Sequence, residues 1–339
     1  MLSRMNLKLI FKIISFILIG IIIFILLSAI IVPHWTRNDG TTVVIKSFYN
    51  EPKDTIDAVF IGNSSVYKGI SPMEIWKKYG ITSYDFASPD QKIWLSYYFI
   101  KECFNYQKPK VIVLSVDEFF SEENISEQSL RKALDSMRYN GVKREILNDK
   151  TFNISSSEKL SYIFPILRYH SRWDKLEFDN FILEDDKDIT VHKGYVITKK
   201  KKSYSTGKGS DSESIGIKVT NYLDKIIDIC KENNTELVLT YIPSPVTWSE
   251  EKYNEIQNFA KSHNLKYIDL NKNNLADINW KDDTEDGGWH LNLYGAMKVT
   301  DYIGRVLKDE YNLPNHKKDE EYDGWYEEEK RYDIALREL

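Results

Sequence analysis

The 339-residue chain is short of cysteine, of any large excess of one charge, and of internal repeats. Its two cysteines, Cys103 and Cys230, stand far apart in apolar, helix-like stretches. That spacing excludes a disulfide framework and a cysteine metal cluster, and predicts two buried thiols. Forty-six basic residues against 51 acidic ones leave a formal charge of −5, without a long basic stripe. Nucleic acid is therefore not an expected partner. Hydrophobic residues make up 42 % of the chain. That is enough for the core of one large domain or two small ones.

The N-terminus carries the clearest signal. Residues 13–32, IISFILIGIIIFILLSAIIV, contain no charge. At about 1.5 Å per residue such a helix spans roughly 30 Å, the thickness of a bilayer core. Arg4, Lys8 and Lys12 precede it, which predicts a cytoplasmic N-terminus (1–12) and an extracytoplasmic remainder. The run is longer than the apolar core of a cleaved signal peptide, and no good small-residue cleavage site follows it. An uncleaved single-pass signal anchor in the cell membrane is expected.

Residues 33–54 read as a juxtamembrane stretch with weak strand character at TTVVIKSFY. Beyond it, apolar runs at 57–62, 81–87, 110–117, 236–243 and 265–270 read as strands. Helical patterns at 71–80, 91–107, 215–234, 250–264 and 291–312 alternate with them. This rhythm predicts an α/β fold over 55–312, a three-layer α/β/α sandwich on a mostly parallel sheet. Residues 121–215 break the rhythm and read as an insertion or cap. Within it, 199–214 (KKKKSYSTGKGSDSES) is polar and reads as a mobile, solvated loop. The tail 313–339 is acidic and aromatic, either wrapped on the surface or partly disordered.

In open α/β sheets, reactive groups collect just past the carboxyl ends of strands. Gly62-Asn63-Ser64 stands at such an end. Ser64 there lies at the start of the next helix, whose free N–H groups suit an oxyanion. Ser65 is the competing hydroxyl. A nucleophilic serine needs a histidine oriented by a carboxylate. Of six histidines, four lie in a tail, a juxtamembrane stretch, a helix end or a turn, leaving His170 and His290. His290 sits in DGGWHLNLYGA, before the last helix, with Asp286 four residues upstream across two glycines.

These two blocks, FIGNS at 60–64 and DGGWHLNLYGA at 286–296, resemble the SGNH/GDSL hydrolase superfamily in kind, order and placement. The resemblance covers roughly 55–312. It implies a flavodoxin-like fold, Ser64 as nucleophile, His290 as base and an aspartate as its partner. The family's usual spacing puts that aspartate three residues before the histidine, where this chain has Gly287, so Asp286 and Asp283 are both candidates. The family's second and third blocks supply oxyanion donors. Here the matching segments are FASPDQK and the end of the third strand at Asp117, so Ser88, Asp90 or Gln91 would have to supply the one donor and Asn63 part of the other. The chain looks most like membrane-anchored members of Gram-positive bacteria, such as the D-alanyl transfer protein of teichoic-acid D-alanylation and polysaccharide O-acetylation proteins.

Arg168 and His170, in the aromatic-basic stretch LRYHSRWDKL, are candidates for substrate or anion contact. No metal or organic cofactor is expected. The expected function is an extracytoplasmic serine esterase or O-acyltransferase acting on cell-envelope glycans, with no nucleic-acid partner and with a membrane-bound O-acyltransferase as a candidate partner. A catalytically inactive scaffold that binds glycan or such a partner is the alternative.

Overall fold

Five short apolar runs become the strands of one parallel sheet. The computed structural model describes residues 7–33, 40–181, 192–204 and 214–338. Parts of the N-terminal segment, the juxtamembrane stretch (34–39) and the insertion (182–191 and 205–213) lie outside the described residues.

In chain order the elements begin with α1 (Leu7–Ile31), α2 (Gly40–Phe48), β1 (Ala58–Ile61), α3 (Ser64–Gly69) and α4 (Pro72–Tyr79). Next come β2 (Ser83–Asp85), α5 (Ile93–Tyr106), β3 (Val111–Ser115), α6 (Glu127–Leu134), α7 (Gly141–Asn148), α8 (Ser156–Ile163) and α9 (Ile166–Tyr169). The chain ends with α10 (Ile217–Glu232), β4 (Glu236–Tyr241), α11 (Glu250–Ser262), β5 (Lys266–Asp269), α12 (Leu293–Asp309) and α13 (Asp323–Glu338). Contacts divide the chain into two units. Among the described residues, one joins 7–33 with 153–181, and the other joins 40–152 with 192–204 and 214–338.

The larger unit holds the sheet, in the order β2-β1-β3-β4-β5 with every pairing parallel. The α/β expectation is borne out. Side chains alternate across a pleated strand. Ala58, Phe60, Val111, Val113, Val238 and Ile268 join Val66, Ile75, Val299 and Ile303 in one core, where α3, α4 and α12 cover the sheet. On α5 and α10, which pack on each other, Phe99, Cys103, Leu223 and Cys230 are buried. Both thiols are buried, as their apolar settings predict. The order reverses between β1 and β3, which opens a crevice at their carboxyl ends.

Two segments differ from their sequence patterns. TTVVIKSFY has β-branched residues that favour a strand, yet it forms α2. Its helical face puts Val44, Ile45 and Phe48 in the core, with Phe48 stacked on Phe86 at 4.1 Å. Burial of that face outweighs intrinsic propensity. The acidic tail forms α13, which packs on α4. Trp325 lies 5.2 Å from Trp76, and the Trp76 indole N–H donates to Glu329 at 3.0 Å.

The smaller unit contains α1 and 153–181. Among the described residues α1 is the one helix long and apolar enough to cross a membrane. Helices α8 and α9 and two 3-10 turns (His170–Lys175 and Phe178–Phe181) accompany it. The span sequence read as one insertion, 121–215, is therefore divided. Residues 153–181 pack with α1, whereas 121–152 and 192–204 belong to the unit with the sheet.

Candidate active site

The crevice between β1 and β3 is built first by Gly62. A Cβ at this position would lie 2.7 Å from the Ser115 Cβ and 2.7 Å from the Val66 side chain. Only glycine lets the end of β1 pass so close to β3. Asn63 then caps α3, its side-chain oxygen accepting from the Ser65 N–H at 2.9 Å. This cap fixes Ser64 as the first helical residue. Among the described residues no acceptor is found for the Ser64 N–H.

From the other side of the crevice comes the loop 284–291. Thr284 bridges Leu291, and the Thr284 hydroxyl donates to the His290 carbonyl at 3.0 Å while accepting from the Gly288 N–H at 2.7 Å. Gly287 and Gly288 have φ of +90° and +104°, values that side chains with a Cβ rarely adopt. They fold Asp286 back onto His290. The Asp286 carboxylate accepts from the His290 backbone N–H at 2.9 Å and bonds the ring Nδ1 at 2.5 Å. The ring Nε2 meets Ser64 Oγ at 2.7 Å. Hydroxyl, imidazole and carboxylate thus form one continuous chain of hydrogen bonds.

Asp283 takes a different position. Its buried carboxylate accepts from the Asn279 N–H at 2.7 Å and pairs with Lys298 at 2.7 Å. Of the two candidate aspartates, the structure brings Asp286 to the imidazole.

A cavity of about 270 Å³ opens over Ser64 and His290. Its other walls include Asp90, Asp117, Glu118, Ser244, Thr247 and Trp289. Asp117 turns its carboxylate onto the Ser65 and Ser115 hydroxyls, the latter at 2.6 Å. Burial pushes its pKa up to about 6, against the pull of those two hydroxyls. Ser65 is thereby directed away from His290. Asn63 donates to Glu118 at 2.9 Å, and Lys92 pairs with both Glu118 and Asp90 at 2.7 and 2.9 Å. The ammonium offsets the acidic wall.

The 88–91 loop is turned inward. The Ser88 N–H donates to the Gly62 carbonyl at 3.3 Å, and its hydroxyl donates to Gln91 at 2.9 Å. The Gln91 amide donates to Ser96 at 3.2 Å. Both residues are buried, and neither lines the cavity. Arg168 and His170 belong to the other unit. The His170 ring bonds the Leu167 carbonyl at 2.9 Å, and the Arg168 guanidinium lies 5.9 Å from the Tyr169 ring.

Several supporting residues went unread in the sequence. Lys68 on α3 pairs with Glu285 on the histidine loop. Ser244 donates to the Gly288 carbonyl at 2.8 Å. Residues 198–204, from a segment with the composition of a mobile loop, hold the same region through backbone bonds. The Lys202 N–H donates to Thr284 and the Tyr204 N–H to Trp280, each at 3.0 Å, and Thr198 accepts from Leu293 at 2.8 Å. Main-chain bonds of this kind leave no compositional signal. Trp289 and Glu118 had one: each adjoins a singled-out residue.

Glu285, Asp286 and His290 carry ligand atoms within 4.8 Å of one another. Each is already engaged, Glu285 by the Lys68 ammonium and the other two by each other.

No family model matches the chain, and no curated protein matches it. Among solved structures, a protein of Bacteroides fragilis described as a candidate acylhydrolase matches with a TM-score of 0.39 and 10 % identity. The match covers 83 % of this chain and 100 % of that one.

Proposed function

We propose that the protein is a membrane-anchored serine esterase or O-acyltransferase of the SGNH type, acting on acylated glycans of the cell envelope. One observation carries this reading: the unbroken Ser64–His290–Asp286 chain at 2.7 and 2.5 Å, at the carboxyl end of β1. Ser64 Oγ attacks an ester carbonyl as His290 Nε2 takes its proton. Asp286 accepts the Nδ1–H, so Nε2 is left as the acceptor. The Ser64 N–H and the second amide proton of Asn63, both at the cavity wall, are the donors for the developing oxyanion. His290 then returns the proton to the departing alcohol. Water or a glycan hydroxyl resolves the acyl-enzyme, completing hydrolysis or transfer. None of these steps uses a metal or organic cofactor.

The cavity volume of about 270 Å³ favours a short acyl group over a fatty chain. The apolar helix α1 favours a substrate or acyl donor near a membrane. An anchor brings little to a general scavenging esterase, but it serves one that meets envelope polymers or a membrane-bound O-acyltransferase.

A second reading, a catalytically inactive scaffold that binds glycan or such an acyltransferase, draws on one feature. The Ser88 N–H and Gln91 amide, in the loop expected to complete the oxyanion hole, are bonded internally. Hydrolysis of p-nitrophenyl acetate by the folded protein separates the two. Turnover lost in Ser64→Ala supports the enzyme. No turnover in the unaltered protein, or turnover that survives Ser64→Ala, overturns the proposed mechanism.

A further inference from the structure

Residues 153–181 leave much of their apolar surface uncovered. Leu160, Phe164, Leu167, Trp173, Phe178 and Phe181 are 41 to 80 % exposed. Twelve large apolar residues outside α1 are strongly exposed among those described, and these six fall within 29 consecutive positions. Charged side chains, among them Arg168, Asp174, Lys175 and Glu177, are exposed beside them, while two polar side chains turn toward the end of α1. Arg172 donates to the Ile31 carbonyl at 2.6 Å, and Asn180, only 3 % exposed, donates to the Val32 carbonyl at 3.4 Å. They satisfy carbonyls that the end of α1 leaves without helical partners. Apolar and charged side chains exposed together suit the boundary between an apolar solvent and water.

The place of this segment along α1 identifies that solvent. The Phe164 ring lies 5.9 Å from Phe24, edge to face. About twenty residues of helix cross a bilayer core, so Phe24 would lie roughly 3 to 12 Å inside the nearer edge whichever twenty are used. Fourteen large side chains of α1, between Leu9 and Leu26, are themselves 40 to 78 % exposed, so the apolar surface of 153–181 continues the surface of the span.

We infer that residues 153–181 form a membrane-interface platform beside the C-terminal end of α1. It lies at the boundary of acyl chains and headgroups, with Phe178 and Phe181 immersed in lipid. The inference rests on α1 crossing a bilayer, as read above. It assigns the aromatic-basic stretch around Arg168 and His170 to the lipid boundary instead of to substrate. Exposed Phe, Trp and Leu beside exposed arginine and lysine able to reach the headgroups is the composition of an interfacial segment.

The test uses full-length protein in nanodiscs of phosphatidylethanolamine and phosphatidylglycerol. A single nitroxide is placed through Phe164→Cys, Phe178→Cys or Phe181→Cys. Ile19→Cys is the reference for lipid, and Lys231→Cys, at an exposed charged site on α10, the reference for water. Cys103 and Cys230 are buried and do not compete for label. Power saturation compares collisions with oxygen and with a water-soluble nickel chelate. We expect the oxygen-to-nickel ratio at 178 and 181 to exceed that at 231 by about 5-fold or more, approaching that at 19. Position 164 should agree, and 178 and 181 keep the test open if loss of the Phe164 ring disturbs the fold. Labels at 178 and 181 that match 231, with 19 in lipid, overturn the platform and leave the anchor standing. A label at 19 that matches 231 overturns the anchor and the platform together.

Discussion

Replacing Asp286 by asparagine separates its charge from its shape. The carboxylate accepts two hydrogen bonds, from the His290 backbone N–H at 2.9 Å and the ring Nδ1 at 2.5 Å. In Asp286→Asn the amide oxygen can keep the backbone bond, which leaves the NH₂ group facing Nδ1. Nδ1 must then become the acceptor, and the ring proton moves to Nε2, opposite Ser64 Oγ. The base is lost with the fold intact. Asp286 is about one-third exposed, so solvent screens its attraction for the imidazolium and tautomer control is the larger effect. The same exchange in a serine triad of another fold costs about 10⁴ in kcat, ~5.5 kcal/mol of barrier. We expect a loss of that order in p-nitrophenyl acetate hydrolysis, with little change in KM or thermal midpoint. Asp283→Asn should behave oppositely, lowering the midpoint by weakening the Lys298 pair while leaving kcat within about tenfold. If Asp286→Asn retained most of its activity while Asp283→Asn abolished kcat without unfolding, the orientation of His290 would have been misassigned.

Three further outcomes follow from the supporting residues. Asp117 has its folded pKa raised from 3.8 to about 6, so its contribution to stability is fully present below about pH 3.8 and is lost as pH rises through about 6. The whole loss amounts to about 3 kcal/mol by linkage, roughly half of it between pH 5 and 7.5, and urea titrations at those two pH values should show a smaller difference in Asp117→Asn than in the native chain. Lys68→Met removes the partner of Glu285 and frees the histidine loop from α3. We expect kcat to fall about tenfold with KM nearly constant, because misplacement of the base affects the chemical step, and steady-state kinetics report the split. Trp325→Ala empties the contact between α13 and Trp76 and should cost about 3–5 kcal/mol in denaturant unfolding, with activity per folded molecule retained.

The parts of the fold that repeat a simple period were legible in the sequence. The apolar runs of β1, β3 and β4 are buried strands, and the helix expected at 291–312 is α12. The sheet order follows from alternation of strand and helix together with short connections. The residues brought together at Ser64 were also legible, because a glycine-tight strand end and a glycine-bearing Asp–His loop each leave a local pattern. What escaped the sequence depends on partners distant along the chain. TTVVIKSFY becomes a helix because Phe86 and Tyr84 are there to receive Phe48. The segment 198–204 is ordered by its main chain, to which composition is blind. The inward turn of Ser88 and Gln91 is set by Gly62 and Ser96, and no spacing within the 88–91 loop records it. The pairing of 153–181 with α1 joins segments more than a hundred residues apart through carbonyl groups at Ile31 and Val32.

Activity-based labelling tests the central claim most directly. A fluorophosphonate probe reacts with a serine whose hydroxyl is activated by a neighbouring base and whose oxyanion is stabilised. Labelled full-length protein, digested and sequenced by mass spectrometry, should carry the probe on Ser64. Labelling should persist in Ser65→Ala and vanish in Ser64→Ala and His290→Ala. A folded chain that takes up no probe, or takes it up on another serine, contradicts the assignment of Ser64 as the nucleophile.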